Sequence, residues 1–246
     1  MHRYQILIEY VGTNFKGWQV QKKGRTIQGL IQKKISLLLK EKIILFGSGR
    51  TDTGVHAIEQ SAHFNCKNEI INKDKFLKSI NHFLNCEEVS IIRIKERKEN
   101  FHARYSAKMR IYKYIIINRL SGPVLNKKRG WHIMKELDLD LMKKGAKKLT
   151  GTRDFSTFRS SSCNANSPIK TMKLVKIKSL KDEIEIEFRS QSFLQHQVRS
   201  MVGCLKYLGE KKWSLKKFND VMKSKKRSLC APPAPAEGLF LTRIIY

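Results

Sequence analysis

Acidic side chains are scarce in this 246-residue chain: 21 Asp and Glu stand against 50 Lys and Arg, leaving a formal net charge of +29. Such an excess cannot be neutralised internally, and it favours polyanionic partners through a salt-sensitive attraction to phosphates. Many of the cations are Lys in a Lys- and Ile-rich composition, so part of the excess reflects base composition of the coding DNA. Long apolar runs are missing too. No stretch approaches the roughly 18 residues needed to cross a bilayer. The segment Met1-His2-Arg3-Tyr4-Gln5 enters a strand pattern directly and lacks the apolar core of a signal peptide. No basic amphipathic stretch with an aromatic anchor marks a membrane-surface helix. The expectation is a soluble, cytoplasmic protein with no membrane partner.

Cysteine is sparse and badly placed for cross-linking. Cys66, Cys86, Cys163, Cys204 and Cys230 are odd in number and never form a C-x-x-C pair. That argues against a disulfide framework and a structural zinc site. The histidines offer no metal motif either: His56, His63, His102 and His196 are scattered, without H-E-x-x-H spacing. No metal site is expected.

What is present is alternation and helical periodicity. Tyr4, Ile6, Ile8 and Tyr10 alternate with polar residues, predicting a half-buried strand over 3–11. Thr26 caps a predicted helix with Ile27, Leu30, Ile31, Ile35 and Leu38 on one side. Strands are predicted at 43–46, 58–66 and 89–94, and a helix carrying Phe76, Leu77, Ile80 and Phe83 with Asp74 as its cap. The rhythm then repeats: a strand over 109–118, a helix over 139–149 stopped at Thr150-Gly151, and paired strands at 174–177 and 184–188 around Lys181-Asp182. The longest helix is predicted over 194–208, a further one after Ser214, and a final strand over 239–245 beyond Pro232, Pro233 and Pro235. The implied hairpins favour an α+β arrangement with antiparallel sheets over a doubly wound parallel one. The two halves are expected at 1–103 and 104–246, with the division near residues 100–107 and a cleft between them as the expected site.

The chemistry concentrates in Gly49-Arg50-Thr51-Asp52-Thr53-Gly54-Val55-His56-Ala57. Asp followed by Thr-Gly is ordinary turn chemistry. Arg50 beside it and the bracketing glycines, which let a ligand approach the backbone, raise the interest of the carboxylate. An ionised Asp near pH 7 can act as a nucleophile, and a cationic partner keeps it ionised.

This nonapeptide resembles the G-R-T-D-A-G-V-H catalytic loop of the tRNA pseudouridine synthase A family, with Thr53 in place of Ala. Further blocks agree in order along the chain. Tyr10-Val11-Gly12 and Gly17-Trp18-Gln19 come first. Phe101-His102-Ala103-Arg104-Tyr105-Ser106-Ala107 is similar to F-H-A-R-F/Y-S-A, and Arg110-Ile111-Tyr112-Lys113-Tyr114 to R-x-Y-x-Y. Phe155-Ser156-Thr157-Phe158-Arg159 is similar to F-x-x-F-R, Phe193-Leu194-Gln195-His196-Gln197-Val198-Arg199 to F-L-x-H-M-V-R, and Ala236-Glu237-Gly238-Leu239-Phe240-Leu241 to A-x-G-L-x-L.

The resemblance implies two ferredoxin-like halves flanking a central basic cleft, and an isomerase that turns uridine into pseudouridine at positions 38–40 of the tRNA anticodon stem-loop. It implies that Asp52 is the catalytic residue, attacking the nucleotide or stabilising charge on the detached sugar. Tyr112 would pack against the target uracil, Arg199 would pair with the catalytic aspartate, and Arg50 would contact RNA. Phe15, Trp18 and Tyr105 are further stacking candidates. The isomerisation consumes no cofactor, and none is expected; the family acts as a homodimer. Ile111, where a second Arg is common, and Gln197 for Met are departures that bear on tRNA affinity. The rival reading is a non-catalytic RNA-binding or RNA-chaperone protein.

Overall fold

The computed structural model describes residues 1–246. They gather into two units, Met1–Lys108 with Phe240–Tyr246, and Met109–Leu239.

The first unit begins with β1 (His2–Tyr10), followed by α1 (Ile27–Leu39), β2 (Phe46–Gly47), β3 (His56–Cys66), α2 (Lys73–Phe83) and β4 (Val89–Arg97). β1 lies between β3 and β4, antiparallel to both, with Ile6 opposite Ala62 on one side and Ile94 on the other. Tyr4, Ile6, Ile8 and Phe64 are fully buried with Ile31, Ile35 and Ile80 of the helices, and Phe64 stacks on Phe76 of α2 at 6.3 Å. Each such side chain removed from water stabilises the unit by about 1.5–3 kcal/mol before entropy is counted.

The alternation in β1 marks its apolar face correctly, but the opposite face is covered as well. Gln5 is buried there, donating to Ser61 Oγ at 2.8 Å and accepting from Arg97 Nε at 2.7 Å. Phe101 and Tyr246 close over this polar layer, the Tyr246 hydroxyl reaching Ser61 Oγ at 2.7 Å.

The helix over 27–39 starts as expected, with Thr26 Oγ1 accepting from the Gly29 N–H. At α2 the cap is Asn72 rather than Asp74. Asn72 Oδ1 takes the Lys75 N–H at 2.8 Å, and Asp74 sits in the first turn, where its charge faces the positive end of the helix dipole. Residues 43–46 also depart from the predicted strand. Ile43 and Leu45 are buried, but their N–H groups go to Ser36 Oγ and Gln32 Oε1 of α1, so only Phe46–Gly47 joins the ladder.

The second unit contains β5 (Met109–Asn118), β6 (Trp131–Ile133), α3 (Leu139–Leu149), β7 (Gly151–Asp154), β8 (Ile169–Leu180), β9 (Glu183–Ser190), α4 (Gln197–Gly209) and α5 (Leu215–Lys223). Its ladder runs β5-β9-β8-β7, antiparallel throughout, with β6 parallel to β5. β8 and β9 form the expected hairpin, turning at Lys181 in the left-handed region (φ 53°). α4 starts three residues later than predicted. His196 is left-handed (φ 61°), and Gln197 Oε1 reaches back to the Leu194 N–H at 2.8 Å, so 194–196 form the entry turn. At 13 residues α4 equals α1 rather than exceeding it. The final strand, β10 (Leu239–Ile245), lies parallel to β3, with Phe240 opposite His56. The fold class is α+β, with mostly antiparallel strands.

Candidate active site

The turn carrying Asp52 joins β2 to β3 and is clamped on both flanks. On the incoming side, the Ser48 N–H donates to the Ser61 carbonyl at 2.8 Å and the Ser48 hydroxyl to Gln60 Oε1 at 2.6 Å. Gln60 Nε2 then donates to the Gly49 carbonyl at 3.1 Å. In the middle, the Thr51 carbonyl accepts the Trp18 N–H at 3.1 Å, and Thr51 Oγ1 lies 2.8 Å from the Tyr10 hydroxyl. The Val55 N–H closes the turn onto the Asp52 carbonyl at 3.2 Å, with Gly54 at φ +81°.

On the outgoing side, buried His56 accepts the Gly12 N–H on Nδ1 at 3.1 Å and stacks on Phe240 at 4.7 Å. Gly12 has no room for a side chain: a Cβ there would lie 1.9 Å from the Val55 carbonyl oxygen. The turn therefore alternates. Thr51, Val55 and His56 are buried, Asp52 is half-buried, and Arg50 and Thr53 are exposed. A carboxylate is held on a rigid, hydrogen-bonded frame while remaining open to solvent, the disposition a nucleophile or charge-stabilising group requires. Exposed Thr53 fills no core space, so its difference from Ala carries no packing cost.

Phe15 and Trp18 are only 1% and 3% exposed. Trp18 lies beside Tyr10, ring centroids 6.3 Å apart, and fills the space over Gly47. Trp18 supports the turn from inside, while the buried Phe15 ring carries the Arg25 guanidinium over its face at 4.5 Å.

Arg50 and Asp52 thus share one turn of the first unit, whereas Tyr112 and Arg199 belong to the second. Tyr112 lies on β5 opposite Phe188 of β9 and meets Phe193 edge-on at 5.1 Å. Arg199, in the first turn of α4, is half-buried. Its Nε donates to the Ala234 carbonyl at 2.8 Å, and the Ala234 N–H returns a bond to the Arg199 carbonyl at 2.9 Å. One turn further along α4, a Cβ on Gly203 would lie 2.1 Å from the Pro232 carbonyl oxygen. Tyr114 donates its hydroxyl to the Pro235 carbonyl at 2.8 Å, and burial pushes that phenol far above its ordinary range despite the nearby Arg199. The proline run is consequently a strap sewn to α4 and β5. Nothing in the local pattern of Pro232, Pro233 and Pro235 announced this, nor the role of Gly12 and Gln60 in holding the Asp52 turn. Gly12 stood out only as part of the block Tyr10-Val11-Gly12 that resembles the family.

No group of three or more His, Cys, Asp and Glu side chains is arranged to hold a metal ion. No helix is long and apolar enough to cross a membrane.

Comparison with known proteins decides the family. Residues 6–106 and 146–246 match the profile described as tRNA pseudouridine synthase. The tRNA pseudouridine synthase A of Pelagibacter ubique (strain HTCC1062) is 71% identical over 246 residues, covering both chains completely. That of Parvibaculum lavamentivorans is 39% identical, again over the whole of both chains. That of Paramagnetospirillum magneticum is 41% identical over all of this chain and 96% of its own. The chain belongs to the tRNA pseudouridine synthase family. It is an isomerase that forms pseudouridine in tRNA. Arg50, Asp52 and Arg199 of the synthase fall within the matched segments, while Tyr112 falls between them in a stretch that the full-length relatives span.

Proposed function

We propose that this synthase acts on uridines of the tRNA anticodon stem-loop, at positions 38–40, with Asp52 as its catalytic nucleophile. The observation that supports this reading is the turn itself: Gly49, Thr51, Val55 and His56 around Asp52 are held by hydrogen bonds, and the carboxylate remains half-exposed. The reaction breaks the C1′–N1 bond, rotates the detached uracil and joins C5 to C1′. The C5 proton leaves and N1 gains one, so atoms and charge balance without an external reductant or oxidant. Asp52 attacks the nucleotide or stabilises the sugar cation while the base turns.

Tyr112 binds the uracil, its ring position set by Phe193 and Phe188. Arg199, whose backbone and Nε are tied to Ala234, directs its guanidinium toward anionic groups of the site. Exposed Arg50 contacts the RNA. The target nucleotide leaves the stack to be reached, at a cost of a few kcal/mol that is smallest at a stem end. The net charge of +29 supplies the attraction to the tRNA backbone. A cytoplasmic setting and a homodimer, as the family resemblance implies, complete the proposal.

The test uses tRNA tritiated at uracil C5. Each pseudouridine formed releases one tritium to solvent, so the protein should release label stoichiometrically with product from positions 38–40. Tight binding without release would contradict the proposal, and release from other positions would overturn the assignment of the stem-loop.

A further inference from the structure

The chain contains 12 Phe, 3 Trp and 7 Tyr. Only two of them are substantially exposed, Tyr105 at 76% and Phe46 at 43%. Both lie against the same histidine. His102 is 4.4 Å from the Tyr105 ring and 5.9 Å from the Phe46 ring, centroid to centroid, and Phe46 also stacks on His63 at 5.1 Å. The two exposed rings are therefore not scattered singly but share one patch centred on His102, the kind of contiguous surface that marks an interaction site.

The cluster is rigid. His102 Nδ1 accepts the N–H groups of Arg104 and Tyr105 at 3.1 and 3.4 Å. The His102 N–H donates to Ser106 Oγ, and the Ser106 N–H returns to the His102 carbonyl, both at 2.9 Å. Ala103 is buried between them, its N–H on His63 Nδ1 at 3.2 Å and its carbonyl on the Tyr246 hydroxyl at 2.9 Å. Accepting these bonds requires unprotonated Nδ1 atoms, and both imidazoles are held below the usual histidine range, chiefly by burial. Besides burial, His102 and Arg3 push His63 down, and Arg3 and Arg104 push His102 down. Arg104 itself places its guanidinium 5.7 Å from the Tyr105 ring centroid. Beside the cluster, Glu96, Arg97, Lys98, Asn100, Phe101 and Ser106 line an open concavity of about 380 Å³.

Uncharged flat rings, fixed in advance and set among arginines, match the chemistry of an unpaired nucleobase with its phosphates. Bases of irregular or single-stranded RNA are held by aromatic stacking that tolerates any base, while cations follow the backbone. A protein partner would ask for apolar area without this surplus of guanidinium. We propose that Tyr105, backed by His102 and flanked by Phe46 and Arg104, is a stacking platform for an unpaired base of the tRNA, separate from the turn that carries Asp52. This rests on the reading of the protein as acting on tRNA. His63 and His56 are seven residues apart on β3, so the platform lies about 23 Å along that strand from the catalytic turn. It therefore contributes to holding and registering the RNA rather than to the chemistry.

The experiment measures tRNA affinity and pseudouridine formation for wild type, Tyr105→Ala and Tyr105→Phe at several salt concentrations. Tyr105→Ala should weaken tRNA binding roughly 5- to 100-fold, as expected for removal of one base–aromatic stack. The loss should appear in Kd and KM, far less in the rate at saturating tRNA. Since no charge is removed, the salt dependence should keep its slope. Tyr105→Phe, which keeps the ring, should stay within about twofold of wild type. Wild-type activity with equal affinity for all three proteins would overturn the platform alone. Unchanged tRNA affinity with a change of oligomeric state in Tyr105→Ala would show that the rings meet protein instead, and would also overturn it. Failure of the wild type to modify any tRNA would fault the underlying tRNA reading, whatever the variants did.

Discussion

Gly12 and His56, 44 residues apart, are joined by a buried hydrogen bond from the Gly12 N–H to His56 Nδ1, and this bond fixes the point where the Asp52 turn enters β3. Removing the imidazole in His56→Ala leaves that N–H unpaired and takes away the ring stacked on Phe240. The expected loss is about 2–4 kcal/mol of stability, combining an unsatisfied buried donor with a cavity. Urea unfolding measures it directly. Gly12→Ala should be worse for activity, because its Cβ collides with the Val55 carbonyl and pushes the turn out of place.

The strap over α4 gives a second prediction. In Gly203→Ala the new methyl group meets the Pro232 carbonyl, which is backbone and cannot rotate aside. Overpacking of this kind costs about 1–3 kcal/mol. The strap also holds Ala234 against Arg199, so catalytic efficiency should fall with the melting temperature. Tyr114→Phe, which removes one hydroxyl from the Pro235 carbonyl, should cost only about 1 kcal/mol in the same melting experiment.

Stability should fall in mild acid. His63 is held at a pKa of about 4, mainly by burial, with His102 and Arg3 adding to it. The folded-state value is depressed below the unfolded one near 6.5, so the unfolded chain takes up the proton first. The stabilisation is complete above pH 6.5 and declines as pH falls from 6.5 toward 4, by at most about 1.4 kcal/mol per pH unit for this one group. His102 is shifted the same way and adds to the decline. His63→Asn, which can still accept the Ala103 N–H, should flatten the stability profile between pH 4 and 6.5. An unchanged profile would rule out His63 as its source.

Binding of tRNA should be steeply salt-dependent. With a net charge of +29, several phosphate contacts are expected, and six to ten of them would lower affinity by about 10³–10⁵ between 50 and 200 mM salt. Anisotropy titrations across that range give the slope, and a nearly flat dependence would exclude extensive backbone contact.

Much of this molecule was legible because its local patterns are consistent with its tertiary structure. The alternation of Tyr4, Ile6 and Ile8, the stripe of Ile27, Ile31 and Ile35, and the caps Thr26 and Ser214 reappear as β1, α1 and α5. What local pattern does not encode is what lies opposite. Residues 43–46 have a strand's composition, yet side chains of α1 take the N–H groups of Ile43 and Leu45. β6 and β7, three and four residues long, exist through their neighbours' ladders and have too few positions for a period to show. At the site, the residue types in the Asp52 turn were readable as a motif. The clamp of Tyr10, Gly12, Trp18 and Gln60 was not, being built from contacts up to 44 residues apart. Likewise, Tyr105, Phe15 and Trp18 look equivalent as aromatics in a sequence, and only burial separates them.

The central claim, that Asp52 performs the isomerisation, is tested most directly by mapping pseudouridine in unmodified tRNA after incubation with wild type and Asp52→Asn. The substitution is nearly isosteric, and the bond that closes the turn uses the Asp52 carbonyl, so folding and tRNA binding should persist. Pseudouridine is expected at positions 38–40 with wild type and none with Asp52→Asn, at equal tRNA affinity. Pseudouridine formed at a comparable rate by a folded Asp52→Asn protein would contradict it.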